Sequence, residues 1–143
     1  MNAPDTTLPL PRPTLLTRPF WEAAREHRLI VQRCEQCGKF RFYPSAGCDQ
    51  CASLAFGWVE MSGRAKVYSW IVVRRTVDAA WQRHVPYASG VMELVEQPGL
   101  LMPGLLTGIA PERVEAGLDV QVWFEDMSPE IALPRWRPLH AEA

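Results

Sequence analysis

The sequence lacks several features that would assign it to common functional classes. No apolar run approaches the roughly 20 residues that a membrane helix needs, so we expect no membrane partner. The first 20 residues have no basic start followed by an apolar core, which argues against a signal peptide and predicts a cytoplasmic location. Basic residues are not in surplus: the formal net charge is −1 and the pI is about 6.3. Because neutralising phosphates supplies most nucleic-acid affinity, this balance argues against a nucleic-acid partner.

A recognisable catalytic constellation is also missing from the sequence. Ser69 and Ser89 have no nucleophile-elbow pattern around them, and no glycine-rich loop ends in Lys-Ser or Lys-Thr. The histidines, His27, His84 and His140, do not stand in a familiar catalytic setting. We therefore expect no catalytic residue in this chain, and any reaction assigned to it would be carried out by a partner's groups.

All four cysteines fall in one short segment, as the Cys-x-x-Cys pairs Cys34/Cys37 and Cys48/Cys51 with ten residues between them. In a reducing cytosol this spacing favours metal ligands over disulfides. Each pair can bring two thiolates to one point, and Gly38 suits the left-handed residue that such a turn needs. Two facing turns make a tetrahedral site of four sulfurs, which is typical of zinc.

A four-thiolate site leaves no open coordination position for water or substrate. The sequence therefore predicts a structural zinc ion. An iron centre of the rubredoxin type is the alternative, but redox work by such a centre would need a second cofactor, and no flavin or nicotinamide motif is present.

The composition and periodicity divide the chain into an arm, a small module and a larger β domain. Five of the 13 prolines lie before residue 20, so residues 1–18 are predicted as an extended arm. Residues 19–31 are predicted as a helix that begins at a proline. This helix and the cysteine segment form a module at 19–57, and the rest, 58–139, is predicted as a five-stranded OB-fold barrel.

That fold prediction rests on a series of short β-rich segments. One helical turn or a short helix is predicted at 110–118, between the third and fourth barrel strands. The predicted strands are 55–63, which could instead belong to the ribbon, and then 64–77, 87–96, 99–109, 119–127 and 130–139.

The order of several motifs resembles a known family. "FWEAAREHRLIVQRCEQCGKFRFYP", "CDQC", "GRAKVYSW", "VPYASGVMEL", "VQVWFED" and "LPRWRP" are similar to the family called domain of unknown function 35. The resemblance spans roughly residues 18–139. It implies a mainly β protein with an N-terminal helix, a rubredoxin-like zinc ribbon and an OB-fold.

The resemblance also implies an accessory role in acyl-CoA metabolism. Members of this family accompany thiolase-like enzymes, including lipid-transfer-protein-type thiolases and aldolases of sterol side-chain or fatty-acid degradation. By that analogy the OB-fold binds or presents acyl-CoA, the ribbon and helix dock the partner, and the two proteins form a hetero-oligomer. We expect carbon–carbon bond cleavage or formation in the complex, with the partner supplying the reacting groups.

A CoA ester needs cationic groups for its phosphates, a flat side chain and an apolar groove. The residues that could supply them are Arg74, Arg75, Trp81, Arg83 and Trp136, although each could instead be a solvated charge or, for Trp136, a cover on the barrel core. His84, Arg135 and Arg137 lie close to them in sequence.

Phe20 and Trp21, on the predicted helix, are candidates for docking a partner, and packing against the ribbon or barrel is their other interpretation. Two further classes of function stay open at this point. The aromatic and arginine residues could bind single-stranded nucleic acid, as OB-folds often do. The chain could also be a small stand-alone acyl-CoA enzyme.

Overall fold

The computed structural model describes residues 7–140, so part of the predicted proline-rich arm lies outside the described residues. Residues 7–14 have no regular secondary structure. Helix α1 spans Arg18–Arg25, with a proline in its first turn. Thr14 and Thr17 precede it and exchange hydrogen bonds between backbone N–H groups and hydroxyls at 2.9 and 3.2 Å.

The predicted helix at 19–31 was too long. α1 ends at Arg25, and His27 takes a left-handed φ of 61° that turns the chain. Ile30 already lies in a strand. Leu29, Ile30 and Val31 are all buried, and strand pairing satisfies the backbone there in place of a helix.

The strands around the cysteines form a small antiparallel sheet. β1 (Ile30–Cys34) lies in the middle, between β2 (Phe40–Arg41) and β3 (Phe56–Glu60). β1 and β3 pair along their whole lengths, from Ile30 opposite Glu60 to Cys34 opposite Phe56. The first cysteine is thus fixed at the end of a strand held by neighbours on both sides.

Five further strands close into a barrel in the order β4-β5-β6-β8-β7. One 3-10 turn, Pro111–Arg113, occupies part of the predicted helical segment. The contact between β6 and β8 is parallel and the other pairings are antiparallel, which is OB-fold topology and confirms the predicted fold class. The barrel strands are β4 (Arg64–Val73), β5 (Tyr87–Leu94), β6 (Leu101–Leu106), β7 (Asp119–Asp126) and β8 (Ala132–Pro138).

The helix, the ribbon and the barrel share one hydrophobic core. Met92, Val120 and Trp136 are fully buried inside the barrel. Phe20 of α1 and Val31 of β1 belong to the same cluster of buried side chains. Because the ribbon packs on the barrel through this shared core, its metal site is held at a fixed position beside the barrel.

Within residues 7–140, no helix has the length and apolar content needed to cross a lipid bilayer.

Candidate functional site: a four-cysteine metal centre and a basic loop on the barrel

The four cysteine sulfurs converge on one point. The Sγ atoms of Cys34 and Cys51 are 3.5 Å apart, those of Cys37 and Cys48 are 3.6 Å apart, and all four lie within 4.8 Å of one another. A tetrahedral site with zinc–sulfur bonds of about 2.3 Å has sulfur–sulfur edges of about 3.8 Å. The arrangement therefore fits a zinc ion bound by four thiolates.

The two cysteine pairs form the same backbone turn. After the first pair, the N–H of Gly38 donates to the carbonyl of Cys34 at 2.9 Å, and after the second, the N–H of Ala52 donates to the carbonyl of Cys48 at 2.9 Å. Both residues are left-handed, with φ of 77° and 62°. Gly38 accepts this φ freely, as the sequence predicted, whereas Ala52 carries a penalty of roughly 1–2 kcal/mol. This strained turn is what allows the sulfurs of the two pairs to converge.

Backbone N–H groups prepare one sulfur of each pair as a thiolate. The backbone N–H of Cys37 lowers the pKa of Cys34 to about 6. The N–H of Cys51, followed by that of Gln50, lowers the pKa of Cys48. A lowered pKa favours the deprotonated form, which is the metal ligand.

The raised pKa of Cys51 shows why a cation is needed among these sulfurs. The N–H of Ser53 acts to lower the pKa of Cys51, but desolvation and the neighbouring sulfurs outweigh it and raise that pKa to about 11. Four negative sulfurs this close repel one another, and a divalent cation removes that repulsion. Cys34, Cys37, Cys48 and Cys51 would hold the ion, which would act as a structural cross-link between the two turns.

A buried polar cluster, which the sequence did not reveal, lies next to the cysteine segment. Gln32 is fully buried, and its Oε1 accepts from Arg41 Nε at 2.8 Å and from the backbone N–H of Ser45 at 2.8 Å. Arg41 is 8% exposed and also donates to the carbonyl of Ser45. These bonds tie β1 and β2 to the segment that leads into the second cysteine pair. A glutamine and an arginine on short strands give no sequence signal of burial.

Two of the arginines predicted to bind CoA lie just beyond the end of β4. Arg74 and Arg75 are both exposed. Arg74 donates through Nη1 to Glu112 Oε1 at 3.1 Å, so one of the two charges is already paired. The pKa of Glu112 is lowered, first by its own backbone N–H and then by Arg74.

The loop that follows carries an aromatic cluster. The ring of Trp81 lies 5.1 Å from that of Tyr87 and 5.7 Å from that of His84, measured between centroids. Arg83, in the same loop, is exposed. Tyr87 was not among the predicted site residues, because it begins a β strand and its sequence pattern is that of a strand residue.

Trp136, the fifth residue predicted for the CoA site, lies in the barrel core instead of on its surface. Its exposed fraction is 0%, and a Cβ at Gly104 would come within 2.7 Å of its Cδ1. The ring therefore fills the space that a glycine leaves open on β6. A ligand on the outside of the barrel cannot reach this ring. Packing in the barrel core, the other interpretation of Trp136, therefore accounts for it.

The two candidate docking residues on α1 differ in exposure. Phe20 is 3% exposed and packs edge-on against Trp21 at 4.9 Å and beside Phe42 at 5.4 Å. Its packing interpretation therefore accounts for it. Trp21 is half-buried, so part of its ring is available to a partner.

Comparisons with known proteins match the whole two-part arrangement. Residues 21–57 match the family model described as "ChsH2, rubredoxin-like zinc ribbon domain", and residues 58–125 match "ChsH2, C-terminal OB-fold domain". Among solved structures, one titled "Ltp2-ChsH2(DUF35) aldolase" superposes with a TM-score of 0.81 at 34% identity, covering 92% of this chain and all of that chain. A DUF35 protein of Sulfolobus solfataricus, 14% identical with a TM-score of 0.62, shares the fold.

Curated relatives give the same match. A probable enoyl-CoA hydratase alpha subunit of Thermomonospora curvata is 37% identical over 130 residues, and the 3-oxo-4,17-pregnadiene-20-carboxyl-CoA hydratase alpha subunit of Mycobacterium tuberculosis is 33% identical over 119. The chain spans only 40% and 36% of those two proteins. A DUF35 domain-containing scaffold protein of Pyrococcus furiosus is 31% identical, with 74% of its length covered. Taken with the ribbon and the barrel, these matches show that the chain belongs to the DUF35 family of zinc-ribbon and OB-fold proteins.

Proposed function

We propose that this protein is an accessory subunit that docks on a thiolase-like enzyme and binds or presents its acyl-CoA. The proposal rests mainly on one structural match. The chain superposes on the full length of a chain from the structure called "Ltp2-ChsH2(DUF35) aldolase". Two CoA hydratase alpha subunits among the relatives support the acyl-CoA context, and a scaffold protein among them supports an accessory role. The partner would supply the groups that make or break the carbon–carbon bond.

The basic loop is the part of the barrel that best suits the CoA moiety. Arg75 and Arg83 are exposed cations, and Trp81 offers a flat ring between them in sequence. Arginine recognises phosphate through several fixed N–H donors, and an aromatic ring packs against apolar groups. These three side chains come from one segment beside the barrel, which supports a single site for the phosphates and an apolar part of the ligand.

The arm and the ribbon supply the proposed docking side. Leu15, three residues before α1, is 83% exposed, and Tyr43 and Leu54 of the ribbon are 63% and 75% exposed. Large apolar side chains at such exposure lose contact with water when a partner covers them. With the half-buried Trp21, they replace Phe20 as the residues that we expect the partner to contact.

The test is capture of the partner. The tagged, zinc-loaded chain is used as bait in a lysate of the organism that encodes it, and co-purifying proteins are identified by mass spectrometry. We expect a thiolase-like protein at near-stoichiometric yield. The purified pair should then co-elute in size-exclusion chromatography.

The matched variants are Leu54→Glu on the ribbon and Val95→Glu on the barrel. Both replace an exposed apolar residue, at 75% and 57% exposure, with the same charge. We expect Leu54→Glu to weaken co-elution and Val95→Glu to leave it unchanged. Capture of nucleic acid in place of a thiolase-like protein would contradict the proposed function.

A further inference from the structure

A partly open cavity lies beside the barrel, where Leu8 of the N-terminal arm contributes to its lining. Its volume is about 200 Å³. Its lining includes Leu8 of the arm, Leu105 and Leu106 at the end of β6, and Trp81, His84 and Tyr87. Trp81 was among the residues predicted for the CoA site and His84 was noted beside it, whereas Tyr87 and the three leucines were not predicted as site residues.

Three polar residues of the cavity lining, Thr107, Glu125 and Arg135, make hydrogen bonds within the protein. Arg135 is 7% exposed, and its Nε donates to Glu125 Oε2 at 2.9 Å. Thr107 Oγ1 accepts from Trp123 Nε1 at 2.8 Å and donates to the carbonyl of Trp136 at 3.2 Å. With these three residues bonded within the protein, the leucine side chains and aromatic rings of the lining favour an apolar group.

The volume limits the size of that group. Sites for drug-sized ligands are about 300–1,000 Å³, so this cavity is too small for a whole CoA ester or a fused ring system. An engineered apolar cavity of about 150 Å³ binds benzene, so about 200 Å³ accepts one six-membered ring or a branched chain of similar size. The rings of Trp81 and Tyr87, with centroids 5.1 Å apart, offer such a group an aromatic face.

We infer that the cavity between Leu8, Trp81 and Leu105 binds one apolar ring or short branched chain, namely the apolar end of the acyl group of a CoA ester. The CoA ester comes from the proposed function, on which this part of the inference rests. The acyl end lies under the aromatic loop, and the CoA moiety stays outside near Arg83 of the same loop. Leu8 then makes the N-terminal arm part of the ligand site.

The experiment follows the methyl and indole signals of the zinc-loaded full chain by NMR. Benzene is titrated first, and then benzoyl-CoA and free CoA are added to the benzene-saturated protein. We expect saturable shifts at the Trp81 indole N–H and at the methyl groups of Leu8 and Leu105. Benzoyl-CoA should displace benzene, whereas free CoA should not.

Three variants test the location. Leu105→Trp fills the cavity and should weaken benzene binding at least tenfold. Leu8→Gly removes the arm's side chain from the lining and should weaken benzene binding severalfold. Leu54→Trp adds the same bulk at an exposed ribbon position and should have no effect.

Two results would overturn the inference. The first is an absence of saturable shifts at Trp81 and Leu105, or equal benzene affinity in the Leu105→Trp variant. The second is benzene binding that benzoyl-CoA does not displace, which would remove the acyl group from the cavity. Failure of the proposed function is separately visible, since a chain that binds benzene but captures no thiolase-like protein contradicts only the docking role.

Discussion

His27 and Asp126, 99 positions apart in sequence, are joined by a 2.8 Å contact between imidazole Nε2 and carboxylate Oδ1. His27 lies in the turn between α1 and β1, and Asp126 is the last residue of β7. The imidazole also stacks on Phe124, with ring centroids 5.6 Å apart and planes inclined by only 8°. This pair connects the ribbon to the barrel at the point where the predicted helix ends early.

We expect a small coupling energy between His27 and Asp126. Their side chains are 50% and 67% exposed, and exposed pairs of this kind are worth about 0.2–1 kcal/mol. A double-mutant cycle with His27→Ala and Asp126→Ala, measured by urea unfolding, should give that value and lose most of it at 1 M salt. The cycle cancels the backbone cost of the left-handed residue at 27. A coupling above about 2 kcal/mol would mean that the pair is desolvated in solution.

Removal of the metal should unfold the ribbon. Without the ion, the two cysteine turns lose their cross-link, and a module of this size has too little core of its own. A chelator, or Cys48→Ser, should collapse the dispersed amide signals of residues 30–60 and abolish binding of the thiolase-like partner. Gln36→Ser, at an exposed position between the first two cysteines, should keep both. A chelated chain with unchanged circular dichroism and partner binding would contradict the structural role of the metal.

Gly104→Ala should destabilise the barrel. The added Cβ would lie 2.7 and 2.8 Å from Cδ1 and Nε1 of Trp136, whose ring is fully buried and cannot withdraw. Overpacking of this kind costs about 1–3 kcal/mol. Gly47→Ala is the control, since its Cβ meets the flexible end of Leu54 at 3.4 Å and the carbonyl of Ser53 at an ordinary 3.9 Å, and it should cost less than about 0.5 kcal/mol. Thermal unfolding of both variants measures the difference, and equal melting temperatures would refute the close-packing argument.

The arginines after β4 should contribute to acyl-CoA affinity in the assembled complex. Arg74→Ala and Arg75→Ala should each weaken binding by about two- to fivefold, the range of exposed charge pairs worth up to about 1 kcal/mol. Glu112→Gln removes the carboxylate that pairs with Arg74 and should therefore strengthen binding. Isothermal titration with one CoA ester at two salt concentrations measures all three. Unchanged affinity in an Arg74→Ala/Arg75→Ala double variant would reject the proposed phosphate site.

The sequence was most informative where one physical requirement fixes the residue type. A four-thiolate site needs cysteines at fixed spacing, so Cys34, Cys37, Cys48 and Cys51 were identified before any geometry was known. The barrel strands were recognisable because one face of each packs on the core: along β5, half-buried and buried residues alternate without exception.

Side chains with two plausible environments could not be assigned from sequence. Trp136 has arginines on both sides in sequence and suggested a ligand surface, yet its ring fills the space above Gly104 on a different strand. Phe20 suggested a docking residue, yet it shares a core with the barrel. Exposure of an aromatic residue depends on neighbours distant in sequence, which local periodicity does not encode.

The sequence by itself therefore determined the metal ligands, the order of the strands and the family resemblance, because these depend on spacing and on periods of two residues. Only the tertiary structure decided where α1 ends, which aromatic rings are buried, and that Leu8 of the arm meets Trp81 and Leu105 around a cavity. Those features arise from contacts between residues up to about a hundred positions apart. Their free energy depends on the closed barrel, whose formation brings such residues together.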